Sequence, residues 1–181
     1  MVDVAEATDR RLWWRHLISF LIAPVTMTLV TPLFIATANG VRAPDLTSPA
    51  RIGLAVIGGL LIVVGLGLFV WTNTLFDRTG KGTLGVGKLL GEPVHLVVRG
   101  PYRHVRNPMI TGVVCILLAE AAITAATPLL LWAVAFFAVL AVFIRGWEEP
   151  HLKKRYGDEY LEYRRNVPAW IPRLSAWNPS G

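Results

Sequence analysis

Between Ile52 and Phe76 the chain runs for 25 residues without a charged side chain. About 20 apolar residues, rising about 1.5 Å each in a helix, cross a hydrocarbon core of about 30 Å. Backbone amides in lipid must pair within their own segment or around a closed barrel. No strand-like alternation appears, so helices are the available solution. Leu17–Ala38 adds 22 uncharged residues. Met109–Ala126 and Pro128–Ile144, at 18 and 17 residues, form two shorter apolar segments joined at Thr127-Pro128. The predicted fold is therefore all-α: an integral membrane bundle of about four transmembrane helices. Only 17% of the residues are charged and mean hydropathy is +0.50, against about a quarter charged in a soluble domain.

The basic residues orient this bundle. The N-terminal segment carries Arg10, Arg11 and Arg15, the loop from Asp77 to Pro108 carries six more, and the tail from Arg145 carries seven. Four spans put 16 of the 18 lysines and arginines on one side, leaving Arg42 and Arg51 opposite. Both termini are then expected in the cytoplasm, which for a prokaryote means a chain in the cell inner membrane. The +6 net charge follows from this arrangement and favours anionic membrane lipids as partners. Because the cations flank spans and build no separate patch, nucleic-acid binding is not expected. The single cysteine, Cys115, lies inside a span and offers neither a disulfide framework nor a metal cluster. Ala36-Thr37-Ala38 resembles a leader cleavage site, but 22 apolar residues containing Pro24 and Pro32 suit a kinked span better than a short leader core.

Residues 1–76 read as an N-terminal tail with two spans, and residues 77–181 as a cofactor-binding region containing a helical hairpin over 109–144. Gly53, Gly58, Gly59, Gly65 and Gly67 in the second span suggest close helix packing. Gly80-Lys-Gly82-Thr-Leu-Gly85-Val-Gly87 superficially resembles a nucleotide loop. It follows a span and no strand, so it reads as a connector. Beyond Pro150, Leu152, Tyr156, Tyr160, Tyr163 and Val167 recur at helical spacing and predict a C-terminal cytoplasmic amphipathic helix, ended by Pro168.

The hairpin returns the chain to the side it left, so two polar clusters meet at one membrane face. The first is Gly100-Pro101-Tyr102-Arg103-His104-Val105-Arg106-Asn107-Pro108-Met109; the second holds Arg145, Glu148 and Glu149. A helix start offers free N–H groups to a carboxylate. Arg103 and Arg106 can pair with anions, Tyr102 offers a ring, and Glu148 and Glu149 can accept from a ribose or an ammonium. S-adenosylmethionine carries all four complementary groups. The alternative is a positive-inside loop facing acidic residues at a helix start.

The run His95-Leu96-Val97, Gly100-Pro101-Tyr102, Arg106-Asn107-Pro108-Met109, a hairpin, Glu148-Glu149, then Tyr156-Gly157-Asp158-Glu159-Tyr160 through Val167-Pro168 resembles the isoprenylcysteine carboxyl methyltransferase and phospholipid methyltransferase superfamily. The likeness covers about Val94 to Pro172; the first two spans show no signature of it. It implies a membrane-embedded methyltransferase with S-adenosylmethionine as cofactor and S-adenosylhomocysteine as product. By that resemblance Val94, His95, Leu96, Val97, Gly100, Tyr102, Asn107, Pro108, Met109, Ile110 and Glu149 bind the cofactor, and Arg145, Glu148 and Arg106 serve catalysis. The implied acceptor is lipid-like or prenylated, with its carboxylate held by Arg145 or Arg106. An ionised carboxylate needs no base before it attacks, which favours O-methylation. Methylation of a phospholipid amine, and a non-catalytic membrane protein that kept the pocket, stay open as alternatives. The family's Arg-His-Pro-x-Tyr reads Arg106-Asn107-Pro108-Met109-Ile110 here, which resembles a prokaryotic variant. Asparagine can donate as a neutral histidine does but cannot become a cation. Glu120, inside the third span, is either functional or within reach of the far surface.

Overall fold

The computed structural model describes residues 25–44, 46–79, 96 and 98–178, with the backbone alone for 73 and 76–79. Among these residues there are helices and no strands, in the order α1 (Thr26–Ala38), α2 (Pro49–Thr79), a 3₁₀ turn (Gly100–Arg103), α3 (Pro108–Thr124), α4 (Thr127–Phe143), a π-turn (Ile144–Glu148) and α5 (Glu149–Asn166). The chain is an all-α membrane protein. Two of its helices are long and apolar enough to cross a bilayer: Pro49–Thr72, and the continuous run Thr127–Asn166 that begins with α4. Only 11% and 17% of their most apolar windows are buried in the protein. A soluble protein's core helix would be mostly covered, so these faces are built for lipid. Thr26–Ala38 and Pro108–Thr124 are shorter apolar helices. The helix of the second span runs on to Thr79, three residues past the expected Phe76.

Pro32 shapes α1 as its chemistry requires. Proline supplies no N–H, and its ring crowds the carbonyl four residues earlier. The preceding turn widens to a π-turn, Thr26–Val30, and the Thr31 N–H reaches back five residues to the Thr26 oxygen. Pro24 lies outside the described residues. α1 packs on α4, where the Trp132 indole N–H donates to the Met27 carbonyl at 3.3 Å.

The most extensive contact is between α2 and α3, and it is made through backbone. A Cβ placed on Gly65 would lie 2.7 Å from the Gly112 oxygen, and one on Gly112 would lie 2.8 Å from the Gly65 oxygen. Two turns earlier in α2, a Cβ on Gly58 would meet the Ala119 oxygen at 3.0 Å. Rising numbers in one helix match falling numbers in the other, so the pair is antiparallel. Of the five glycines expected to pack, Gly58 and Gly65 do so; Gly53, Gly59 and Gly67 face open space. Val113 and Leu117 of α3 and Ala133 of α4 form the bundle core, with Phe69, Trp132 and Phe136 against them.

The hairpin turn closes α3 with Ala125 in the left-handed region (φ 48°). The Ala126 and Ala125 N–H groups donate to the Ala121 and Ala122 carbonyls, the paired bonds of a Schellman ending in which glycine is the usual residue. Pro128 then starts α4 at a position that needs no donor.

Candidate active site

The antiparallel packing puts the C-terminal end of α2, the start of α3 and the end of α4 at one pole of the bundle. Gly100 opens the turn there. Its φ of +54° suits glycine, and a Cβ would sit 3.2 Å from the Trp71 indole nitrogen of α2. The 3₁₀ turn Gly100–Arg103 follows on buried Pro101, and fully buried Val105 fixes the loop to the bundle. Pro108 begins α3 without a donor to waste. Asn107 gives no side-chain cap, although its carbonyl accepts from the Thr111 N–H and hydroxyl, both at 2.9 Å. The first-turn N–H groups that follow Pro108 have no partner within the helix.

Arg106 joins the two polar clusters. Its Nη1 lies 2.7 Å from Glu149 Oε1 and donates to the Tyr160 hydroxyl at 3.1 Å. Glu149 Oε2 also faces Arg164 at 3.3 Å. The Arg106 and Glu149 side chains are 11% and 8% exposed, so this pair is desolvated and each charge depends on the other. The Arg106 Nε is buried without a hydrogen-bond partner. One turn along α5, the Tyr163 hydroxyl donates to the Tyr102 carbonyl at 2.7 Å.

α5 reaches both contacts because it breaks. Gly157 takes φ 55°, ψ −128°, a conformation for glycine, and the expected single amphipathic helix is two segments joined at that residue. The second segment turns Tyr160, Tyr163 and Val167 onto the loop, where Leu96, Val98, Leu152 and Trp177 surround them. The tail then runs back along residues 103–107. Arg106 N–H donates to the Pro168 carbonyl (2.9 Å), Arg173 N–H to His104 (3.0 Å) and Trp177 N–H to Arg103 (3.0 Å). The Asn107 amide donates to the Ala169 carbonyl at 3.2 Å.

Glu148 is half-buried beside Tyr102 and has no hydrogen bond or ion pair among the described residues. Burial first, and repulsion from Glu149 second, push its carboxyl above the usual range. Burial, helped by Tyr163 and Glu148, pushes the Tyr102 phenol up, so it remains a neutral donor. Arg145, from the sequence-predicted set, is exposed on the π-turn and makes no described contact with the acidic pair. Leu96 lies against the tyrosine cluster; Met109 and Ile110 are half-buried on the first turn of α3. Val94, His95 and Val97 lie outside the described residues, as does the glycine-rich connector. Sequence reasoning missed the roles of Tyr160, Tyr163, Arg164 and the tail from Pro168. The tyrosine spacing was visible, but not what the stripe packs on.

The polar end of the apolar bundle thus gathers a half-buried carboxylate, an uncapped helix start and a buried ion pair. A family model for phospholipid methyltransferases matches residues 54–159, more than half of the 181-residue chain. The chain belongs to that family and is a membrane methyltransferase. The match begins in α2, ahead of the motifs from Val94 that carry the resemblance. Neither the curated proteins nor the solved structures compared with the chain give a match.

Proposed function

We propose that this methyltransferase uses S-adenosylmethionine and methylates the polar end of a lipid that enters from the bilayer. The observation that carries the reading is Glu148, a half-buried carboxylate without a partner among the described residues, beside the uncapped start of α3. The residues fit the cofactor. The first-turn N–H groups of α3 suit its carboxylate, Glu148 suits its ammonium or ribose hydroxyls, and Tyr102 supplies a ring. When bound, the cofactor supplies a sulfonium-activated methyl group. The protein's own work is to align the acceptor, exclude water and take up charge. Arg106 and Glu149 hold the loop carrying Tyr102 and Asn107 against α5, and so act by positioning.

The ion pair bears on the acceptor. Arg106, expected to hold an acceptor carboxylate, is neutralised by Glu149, while Glu148 adds negative charge at the same end. This balance supports an amine headgroup, which arrives protonated, gives its proton to water and then attacks the methyl group with the freed lone pair. The family's own description points the same way. Methylation of an isoprenylcysteine-like carboxylate is the second reading and rests on exposed Arg145.

Labelled methyl transfer from S-adenosylmethionine into membrane extract, with the product identified, tests the whole proposal. An absence of labelled lipid would refute it. Single-turnover rates separate the acceptors. Amine methylation should climb about tenfold per pH unit between about pH 6 and 8. Carboxylate methylation should stay nearly flat there, because carboxyl groups ionise near about pH 4. For topology we propose four spans with both termini in the cytoplasm, supported by the distribution of basic residues. Labelling of a cysteine at position 45 from the cytoplasmic side, in a Cys115→Ser background, would contradict it.

A further inference from the structure

Where α4 leaves the apolar zone, its outer face carries a row of stacked rings. Phe143 and Trp147 have centroids 5.2 Å apart at 29°, and Trp147 and His151 are 6.0 Å apart at 9°. Val139 begins the row one turn earlier, so it keeps a spacing of four residues from an apolar side chain to a polar one. Val139, Phe143 and Trp147 are 68%, 46% and 54% exposed, and nothing among the described residues covers them. Lys154 continues the face, three residues beyond His151 and seven beyond Trp147, without a partner among the described residues.

Charge is sorted across this helix. The two acids near its start, Glu148 and Glu149, turn toward Tyr102 and Arg106, while Arg145, Lys153, Lys154 and Arg155 are exposed. The outward surface is thus basic along its length until Asp158. Helix rise sets the levels: Trp147 stands about 6 Å and His151 about 12 Å above Phe143. The polar layer outside the hydrocarbon is roughly 5–8 Å deep. Lys154 stands about 16 Å above Phe143, and helical side chains lean toward the helix N-terminus, here back toward the bilayer, so its long stem carries the ammonium toward that layer.

We propose that this ridge binds one phospholipid of the surrounding bilayer, distinct from the methyl acceptor. The acyl chain lies along Val139 and Phe143, the glycerol lies against the Trp147 ring, and the phosphate is held at Lys154. Continuity with the lipid-facing surface of α4 fixes the apolar half of the occupant, and the Lys154 ammonium above it fixes the anionic half. The face points away from the Arg106–Glu149 pair, so the bound lipid props the helix that carries Glu148 and does not enter the site.

The test is native mass spectrometry of the full chain, titrated in detergent with phosphatidylglycerol and, separately, with diacylglycerol. Phosphatidylglycerol should be retained and diacylglycerol lost. Lys154→Gln should weaken retention about fivefold, the strength typical of one basic group near an anionic surface. Trp147→Leu should weaken it as well. Lys153→Gln removes the same charge one residue away on another face and should leave retention unchanged. Equal losses in the two lysine variants, no loss in Lys154→Gln, or equal binding of diacylglycerol would each overturn the proposal. The readout involves no methyl transfer, so it stands or falls separately from the proposed activity.

Discussion

The α2–α3 contact and the polar end are held together by opposite means. Between α2 and α3 there is almost nothing: Gly65 and Gly112 bring two backbones close enough that a single added carbon collides with a carbonyl. At the polar end, long side chains do the joining, through the Arg106–Glu149 pair, its Tyr160 and Arg164 partners, and the returning tail. In lipid, apolar area gives helices little reason to associate, so close van der Waals approach must supply it. Outside the hydrocarbon, directional bonds position a loop whose own regular structure is a single 3₁₀ turn. The difference teaches that the two regions should fail differently.

The sharpest break is Gly65→Leu. The side chain would have to displace the Gly112 carbonyl, and the expected outcome is loss of folded protein in detergent, measured by size-exclusion recovery and thermal melting. Gly59→Leu, aimed at open space, should change neither. At the polar end Glu149→Ala leaves buried Arg106 without its counter-charge, and a destabilisation of about 3–5 kcal/mol is expected. Chemical denaturation would read it, and a loss below about 1 kcal/mol would mean that the pair is not desolvated.

Glu148→Gln should separate stability from function. Its carboxyl is shifted upward, so the folded state prefers it neutral. The stability it contributes is complete below about pH 4, the ordinary carboxyl range, and is lost as pH rises through the shifted value. The amide variant should therefore melt at or above the parent's temperature near pH 7, with the difference closing toward about pH 4. Calorimetry should at the same time show S-adenosylhomocysteine binding weakened by at least about tenfold. The smallest effect is expected at the hairpin. Ala125→Gly relieves a left-handed alanine and should stabilise by about 1 kcal/mol, visible as a small rise in melting temperature with methyl transfer unchanged.

How much of this could be read in advance followed the same division. Uncharged stretches mark the apolar helices nearly to their ends, apart from the start of the first at Leu17, which lies outside the described residues, because span length is set by the bilayer and not by partners. Gly58 and Gly65 could not be told from Gly53, Gly59 and Gly67, since composition does not say which face of a helix meets a neighbour. Gly112, which completes the contact, drew no notice within an apolar run. At the polar end the two clusters were recognisable as neighbours because the short hairpin dictates it. That Arg106 would be spent on Glu149 was not legible, since an arginine's partner across 43 residues depends on where α5 bends. Gly157 carried the signal for that bend, a glycine in the middle of an amphipathic pattern, but its helix otherwise reads as continuous.

The returning tail has a consequence for how the protein is made. Residues 103–107 emerge from synthesis roughly 60 residues before Pro168–Trp177, the segment whose backbone holds them. The hairpin of α3 and α4 can therefore enter the bilayer while the loop beside it is still unsupported. Membrane insertion and completion of the site become separate events in time. A chain cut just before Pro168 would keep every apolar helix, yet lack the backbone partners that hold the loop in place. The last bonds to form are thus the backbone bonds that pin residues 103–107, made after the apolar helices have already emerged.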